Sequence, residues 1–157
     1  MQIKFSLKTV LVLLLLLSSN ICLSQDIHEI RELFIEARNN EKKCDSLNNY
    51  LISNYEEKNL FKGYYAVSLL LKSKFIKNPF KKYKFFKEGK LLLEATIKID
   101  PSNIELIFLR YTVQKNIPDF LIYNQQKNAD YERLKNINMK ITEEKLKNYI
   151  INNLQTI

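Results

Sequence analysis

Glycine and proline are nearly missing from this 157-residue chain, which has only Gly63, Gly89, Pro79, Pro101 and Pro118. The tight reversals of an all-β fold depend on those residues, so strand hairpins are not encoded and helices are the default. Two glycines cannot assemble a phosphate-cradling loop, and no serine lies in a nucleophile-elbow pattern. Histidine occurs once, as His28, which leaves no histidine-based metal cluster and no cofactor site to expect. Beside Glu29 on a helix, an exposed or helix-packing role suits His28 better than general base or metal ligand. Glu56-Glu57 and Glu143-Glu144 are adjacent pairs, which on a helix point about 100° apart and do not converge on one substrate atom. Asp100, next to Pro101, reads as a turn residue.

Long apolar runs are also scarce, with one exception. Lys4 and Lys8 precede the eight-residue run Val10–Leu17, and Cys22 and Ser24 put small residues where a signal peptidase reads. Crossing a bilayer as a helix takes about 20 apolar residues, so Met1–Ser24 is expected to be a cleaved export signal rather than a permanent span. The bulky Ile21 before Cys22 argues against lipid attachment there. Cleavage near Ser24 leaves 133 residues, one domain over 25–157 in the periplasm or outside the cell. The whole-chain charge of +8 loses Lys4 and Lys8 and remains basic at +6. Cys44 becomes the only thiol, so no intrachain disulfide forms and stability must come from packing.

The periodicity predicts six to seven helices. Asp26 and Glu29 make a capping box for a first helix carrying Ile27, Ile30, Leu33, Phe34 and Ala37 inward up to about Arg38. A second from Glu41 places Cys44, Leu47, Tyr50, Leu51 and Tyr55 on one side and Asp45, Asn48, Asn49 and Ser53 toward water. The third, from Leu60 to Ile76, is apolar almost all round, as a central helix is. A buried strand over Ala66–Leu71 is the alternative, but the pattern outruns strand length. Asn78-Pro79 breaks the chain before a fourth helix, Phe80 to about Ile99. Ser102 is expected to cap the fifth, with Glu105 as capping partner and an apolar run from Ile104 to Val113. After Asn116-Ile117-Pro118-Asp119 a sixth helix is expected from Phe120, and Thr142 caps a last one with Leu146, Tyr149, Ile150 and Leu154 inward.

The stretch Gly89-Lys90-Leu91-Leu92-Leu93 to Asp100-Pro101 resembles the second helix and closing turn of a tetratricopeptide repeat, with Gly89, Leu93 and Pro101 in the small, large and proline places. Thr96, where the repeat commonly has alanine, and Pro79, inside its first helix, depart from that pattern. The segments Asn78-Pro79-Phe80, Glu88-Gly89-Lys90, Asp100-Pro101-Ser102-Asn103 and Phe108-Leu109-Arg110 are similar to small secreted helical proteins of flavobacteria and related Bacteroidota. The resemblance implies antiparallel helical hairpins in a short repeat-like stack, in the envelope of a Gram-negative bacterium. It implies no chemistry.

The expected role is therefore noncatalytic binding or scaffolding, with a peptide or protein partner on a concave face. Tyr64, Tyr65, Phe108, Arg110, Tyr111 and Gln114, on the third and fifth helices, are the candidate contacts. A second reading starts from Lys58–Lys87, which holds nine lysines, eight aromatics and no acid. There Lys77, Lys81, Lys82, Lys84 and Lys87 would adhere to an anionic glycan, envelope polymer or membrane surface. A solvated lysine face with inward aromatics is the competing reading of the same residues. Export and the scarcity of arginine speak against nucleic acid. A third reading makes Cys44, flanked by Lys43, an activated thiol paired with His28; at helical spacing with Leu47 and Leu51 it fits a core better.

Overall fold

The computed structural model describes residues 27–55, 58–136 and 143–155. Among them there are seven helices and no strand: α1 (27–37), α2 (Glu41–Ile52), α3 (Asn59–Phe75), α4 (Pro79–Ile99), α5 (Ile104–Asn116), α6 (Lys127–Lys135) and α7 (Glu144–Gln155). The all-α expectation holds, and Ala66–Leu71 lies inside α3. The leader Met1–Ser24 and the expected caps Asp26 and Thr142 lie outside the described residues.

Caps explain where the middle helices begin. Asn40 and Asn78 sit in extended backbone and each accepts a hydrogen bond from the amide three residues on, Lys43 and Lys81, satisfying a donor that the first turn leaves free. Pro79 follows Asn78 at the first helical position, where its missing N–H costs nothing. For α5 the cap is Asn103 rather than the expected Ser102. The Asn103 side chain accepts from the amides of Glu105 and Leu106, while the Ser102 hydroxyl donates to Asp100 at 3.1 Å. Glu105 does not fold back as a capping partner because its carboxylate is committed to Arg31 in the interior.

The expected sixth helix from Phe120 is also corrected. Asp119–Leu121 forms a single 3-10 turn and Ile122 takes a left-handed conformation, φ 46°, the only non-glycine residue among those described to do so. A β-branched residue pays strain there. The reversal turns Tyr123 inward, where it is buried against Phe86 and its hydroxyl donates to Glu94 at 2.6 Å. Helix α6 starts only at Lys127.

Helix α3 is the centre of the fold, packed against α2, α4 and α5, while α6 and α7 pack on α5. Its all-round apolarity is what that position requires. The α3–α4 hairpin is the most extensive contact, and Gly89 permits it: a Cβ there would stand 2.6 Å from the Ala66 carbonyl oxygen and 2.8 Å from Leu70. Leu93, one turn on, is fully buried, and Pro101 lies in the exposed turn after α4. On α2, Asn48 faces inward rather than toward water, because its amide donates to the Ser68 hydroxyl on α3 at 2.9 Å.

Candidate functional site

Two buried arginines flank α5. Arg31 (α1) grips Glu105 (α5) with two parallel hydrogen bonds of 2.8 and 2.7 Å, and the Tyr64 hydroxyl donates to the same carboxylate at 2.5 Å. The Tyr149 hydroxyl lies 3.3 Å from that of Tyr64, and Arg31 sits over the Tyr149 ring, so α1, α3, α5 and α7 meet at one charge pair. Burial disfavours the charge of Arg31, but hydrogen bonding and attraction to Glu105 outweigh it and hold its pKa above the usual value. On the other flank Arg110 grips Asp130 (α6) at 2.7 and 2.8 Å and reaches Glu94 (α4) at 3.0 Å. Its pKa is raised by the same balance. Both sites are buried, with each guanidinium held in a two-bonded grip by a carboxylate of the chain itself, and read as structural clasps.

The residues expected to meet a partner are distributed accordingly. Tyr64 and Phe108 are fully buried, and Arg110, Tyr111 and Gln114 are buried as well; Tyr65 is half-buried and stacked on Tyr55 with ring centres 4.5 Å apart. The physical reason is the one that made them noticeable: α3 and α5 are apolar on every side because every side is covered, so they present no concave face at those positions. Gln114 is 2 % exposed and neither atom of its amide has a hydrogen-bond partner among the described residues.

Cys44 is buried, its thiol directed at the Ser68 carbonyl at 3.7 Å, and burial followed by repulsion from Asp45 pushes its pKa up to about 11. That is the reverse of thiolate activation. His28 is exposed on α1 with Nε2 3.5 Å from Glu32, so the structure gives the thiol no imidazole partner. No group of three or more metal-binding side chains occurs among the described residues.

A groove of about 780 Å³ lies at the end of the bundle where α1, α3 and α5 finish and α4 begins, closed on one side by the Pro118–Leu121 turn. Phe34, Val67, Leu70 and Phe86, all buried, make its floor. Half-buried Leu71, Val113, Ile117 and Leu121 make its walls, and exposed Tyr83 and Phe120 stand at its mouth, Phe120 with 79 % of its surface in solvent. Three cations join this lining, Arg38, Lys74 and Lys82, and among the described residues no carboxylate does. Lys82 is the one lysine of the expected anion site that lines the groove. Lys77, Lys81, Lys84 and Lys87 are exposed nearby on α4 and just before it, and among the described residues only Lys84 is in an ion pair, 3.9 Å from Glu88. Sequence reasoning missed Arg38, Leu71, Val113 and Phe120; the one available signal was Phe120, a large apolar residue after a proline break with no periodic partner to bury it.

No helix among the described residues is long and apolar enough to cross a membrane. Comparison with protein-family models, with curated proteins and with solved structures gave no match.

Proposed function

We propose that this protein is a noncatalytic binding protein of the cell envelope, exported by Met1–Ser24, whose receptor site is the groove between α3, α4, α5 and the Pro118–Leu121 turn. One observation carries the reading: an apolar cleft of about 780 Å³, within the roughly 300–1,000 Å³ of small-ligand sites, with large aromatics left in solvent at its mouth. The buried, high-pKa Cys44 and the exposed His28 supply no reactive pair, which is why binding rather than catalysis is the role advanced. The tetratricopeptide-like hairpin supports the same role, since stacked helical pairs hold a binding surface rigid.

Nile red, a neutral apolar dye, tests the groove. Saturable fluorescence enhancement is expected for the native protein, weakened about tenfold, or ~1.4 kcal/mol, by Val113→Trp, which fills the cleft. A thermal melt keeps that variant interpretable by showing that it is folded. Enhancement no greater than on an unrelated helical protein would remove the reading. Export is tested separately by N-terminal sequencing of protein released by the producing cell, which should begin at Gln25.

The lysines at and just before the start of α4, Lys77, Lys81, Lys82, Lys84 and Lys87, favour a second reading, adhesion to anionic envelope surfaces, because four of the five have no carboxylate partner among the described residues. Sedimentation with anionic vesicles at low salt, lost at high salt, is its signature.

A further inference from the structure

We infer that the groove takes a single-chain anionic amphiphile, its acyl chain laid along the apolar floor and its carboxylate or comparable head held among Arg38, Lys74 and Lys82. The inference rests on reading the groove as the receptor site and names the class of ligand.

The charge pattern specifies the head. Arg31 and Arg110, buried elsewhere in the fold, are each neutralised by a two-bonded carboxylate. Arg38 is half-buried too, yet its hydrogen bonds go to neutral oxygens, the Ile35 carbonyl at 3.4 Å and the Asn153 side chain at 3.3 Å. Lys74 donates to the Arg38 carbonyl at 2.9 Å and the Asn39 side chain at 3.1 Å, again neutral. None of Arg38, Lys74 and Lys82 has a carboxylate within ion-pair distance among the described residues, and Asp119, beside the turn, accepts from Asn124. Burial holds the Arg38 pKa below its usual value, the sign of a charge lacking its counter-ion. An anion arriving here supplies what the chain supplies elsewhere.

The wall specifies the tail. Three polar side chains of the inner lining are turned to their own helices: the Ser73 hydroxyl donates to the Leu70 carbonyl, Thr112 to Phe108 and the Asn116 amide to Thr112. A peptide backbone in this cleft would lose water from its carbonyls and find those donors occupied, whereas an acyl chain asks for none.

Calorimetric titration of the full chain with dodecanoate, dodecanol and dodecyltrimethylammonium, each below its micelle concentration, tests the inference. The acid should bind about tenfold tighter than the alcohol, with the cation weakest. Arg38→Gln combined with Lys82→Gln should bring the acid to within about twofold of the alcohol while leaving alcohol binding unchanged. Equal binding of acid and alcohol overturns the assigned head group and leaves the apolar groove standing. A preference for the acid that survives the double variant overturns the inference by placing the head elsewhere. No binding of any of the three overturns both the inference and the groove.

Discussion

The flanks of α5 and the end of the bundle treat arginine in opposite ways. At the flanks Arg31 and Arg110 are sealed in and answered by Glu105 and Asp130 across four bonds of 2.7 to 2.8 Å. At the groove Arg38 is half-buried and, among the described residues, answered only by neutral oxygens. A buried ion pair costs desolvation that its own attraction roughly repays, and what it adds is a fixed way for helices to meet. Arg31 joins α1 to α5, and Arg110 joins α5 to α4 and α6. A cation left without a counter-ion gives no such return to the fold. The comparison separates charges that hold this molecule together from one that the described residues leave without a carboxylate partner.

The sharpest way to break that comparison is to remove one side of a clasp. Glu105→Ala should cost about 3 kcal/mol, because it removes both short bonds of the buried Arg31 guanidinium, leaving it the exposed Glu143 carboxylate at 3.5 Å, and takes the nearer acceptor from the Tyr64 hydroxyl. A fall in the urea midpoint without change of slope measures it. Replacing both partners, Arg31→Met with Glu105→Leu, should recover most of that loss. If the double variant is as unstable as the single one, the clasp is worth more than its geometry implies.

The breaks before α2, α4 and α5 and the central place of α3 were readable because each has a local cause, a polar pair, a proline at the first turn or apolar residues on all sides, whereas the asparagine caps and the late start of α6 were not. The clasps were not readable. Arg31 and Glu105 are 74 positions apart, and nothing local marks either as buried; Glu105 three positions after Ser102 even suggested a cap. Tyr64 and Arg110 were expected to meet a partner, but both are buried and their polar atoms are held by tertiary hydrogen bonds, which no local pattern announces. The groove was least legible, since its parts come from four separated segments and only Lys82 had been marked. Where α4 and the Pro118–Leu121 turn sit relative to α1 is set by packing over long range.

The phenols of both clasps make the comparison sensitive to pH. Burial, then the neighbouring Tyr149 and Glu105, raises the Tyr64 pKa well above its usual value; burial and the bond to Glu94 do the same for Tyr123, and burial leads for Tyr149. In the unfolded chain these groups ionise near pH ~10. The folded state is favoured in full below that pH, and stability is lost as pH climbs from there toward the raised folded values, because only the unfolded chain gives up the protons. Phenolate absorbance should therefore stop short of nine ionised tyrosines in the folded protein and reach nine only on unfolding. Smooth titration of all nine with the helical signal intact would show that the clasps open freely. A smaller effect is expected from Gln114, whose buried amide is unpartnered among the described residues. Gln114→Met should leave stability unchanged or raise it by about 1 kcal/mol, read from the same urea curve.

The smallest change in stability decides the most. Arg38→Gln should alter the unfolding free energy by no more than ~0.5 kcal/mol, as surface substitutions do, since the two bonds it loses are long ones to neutral oxygens. The variant also removes a desolvated charge, which offsets part of that loss. A cost near that of Glu105→Ala would place Arg38 among the structural clasps and erase the distinction between the two regions. A near-zero cost, with weakened dodecanoate binding in the same preparation, would separate them as the geometry does: a residue nearly indifferent to folding whose charge matters only when the groove is filled.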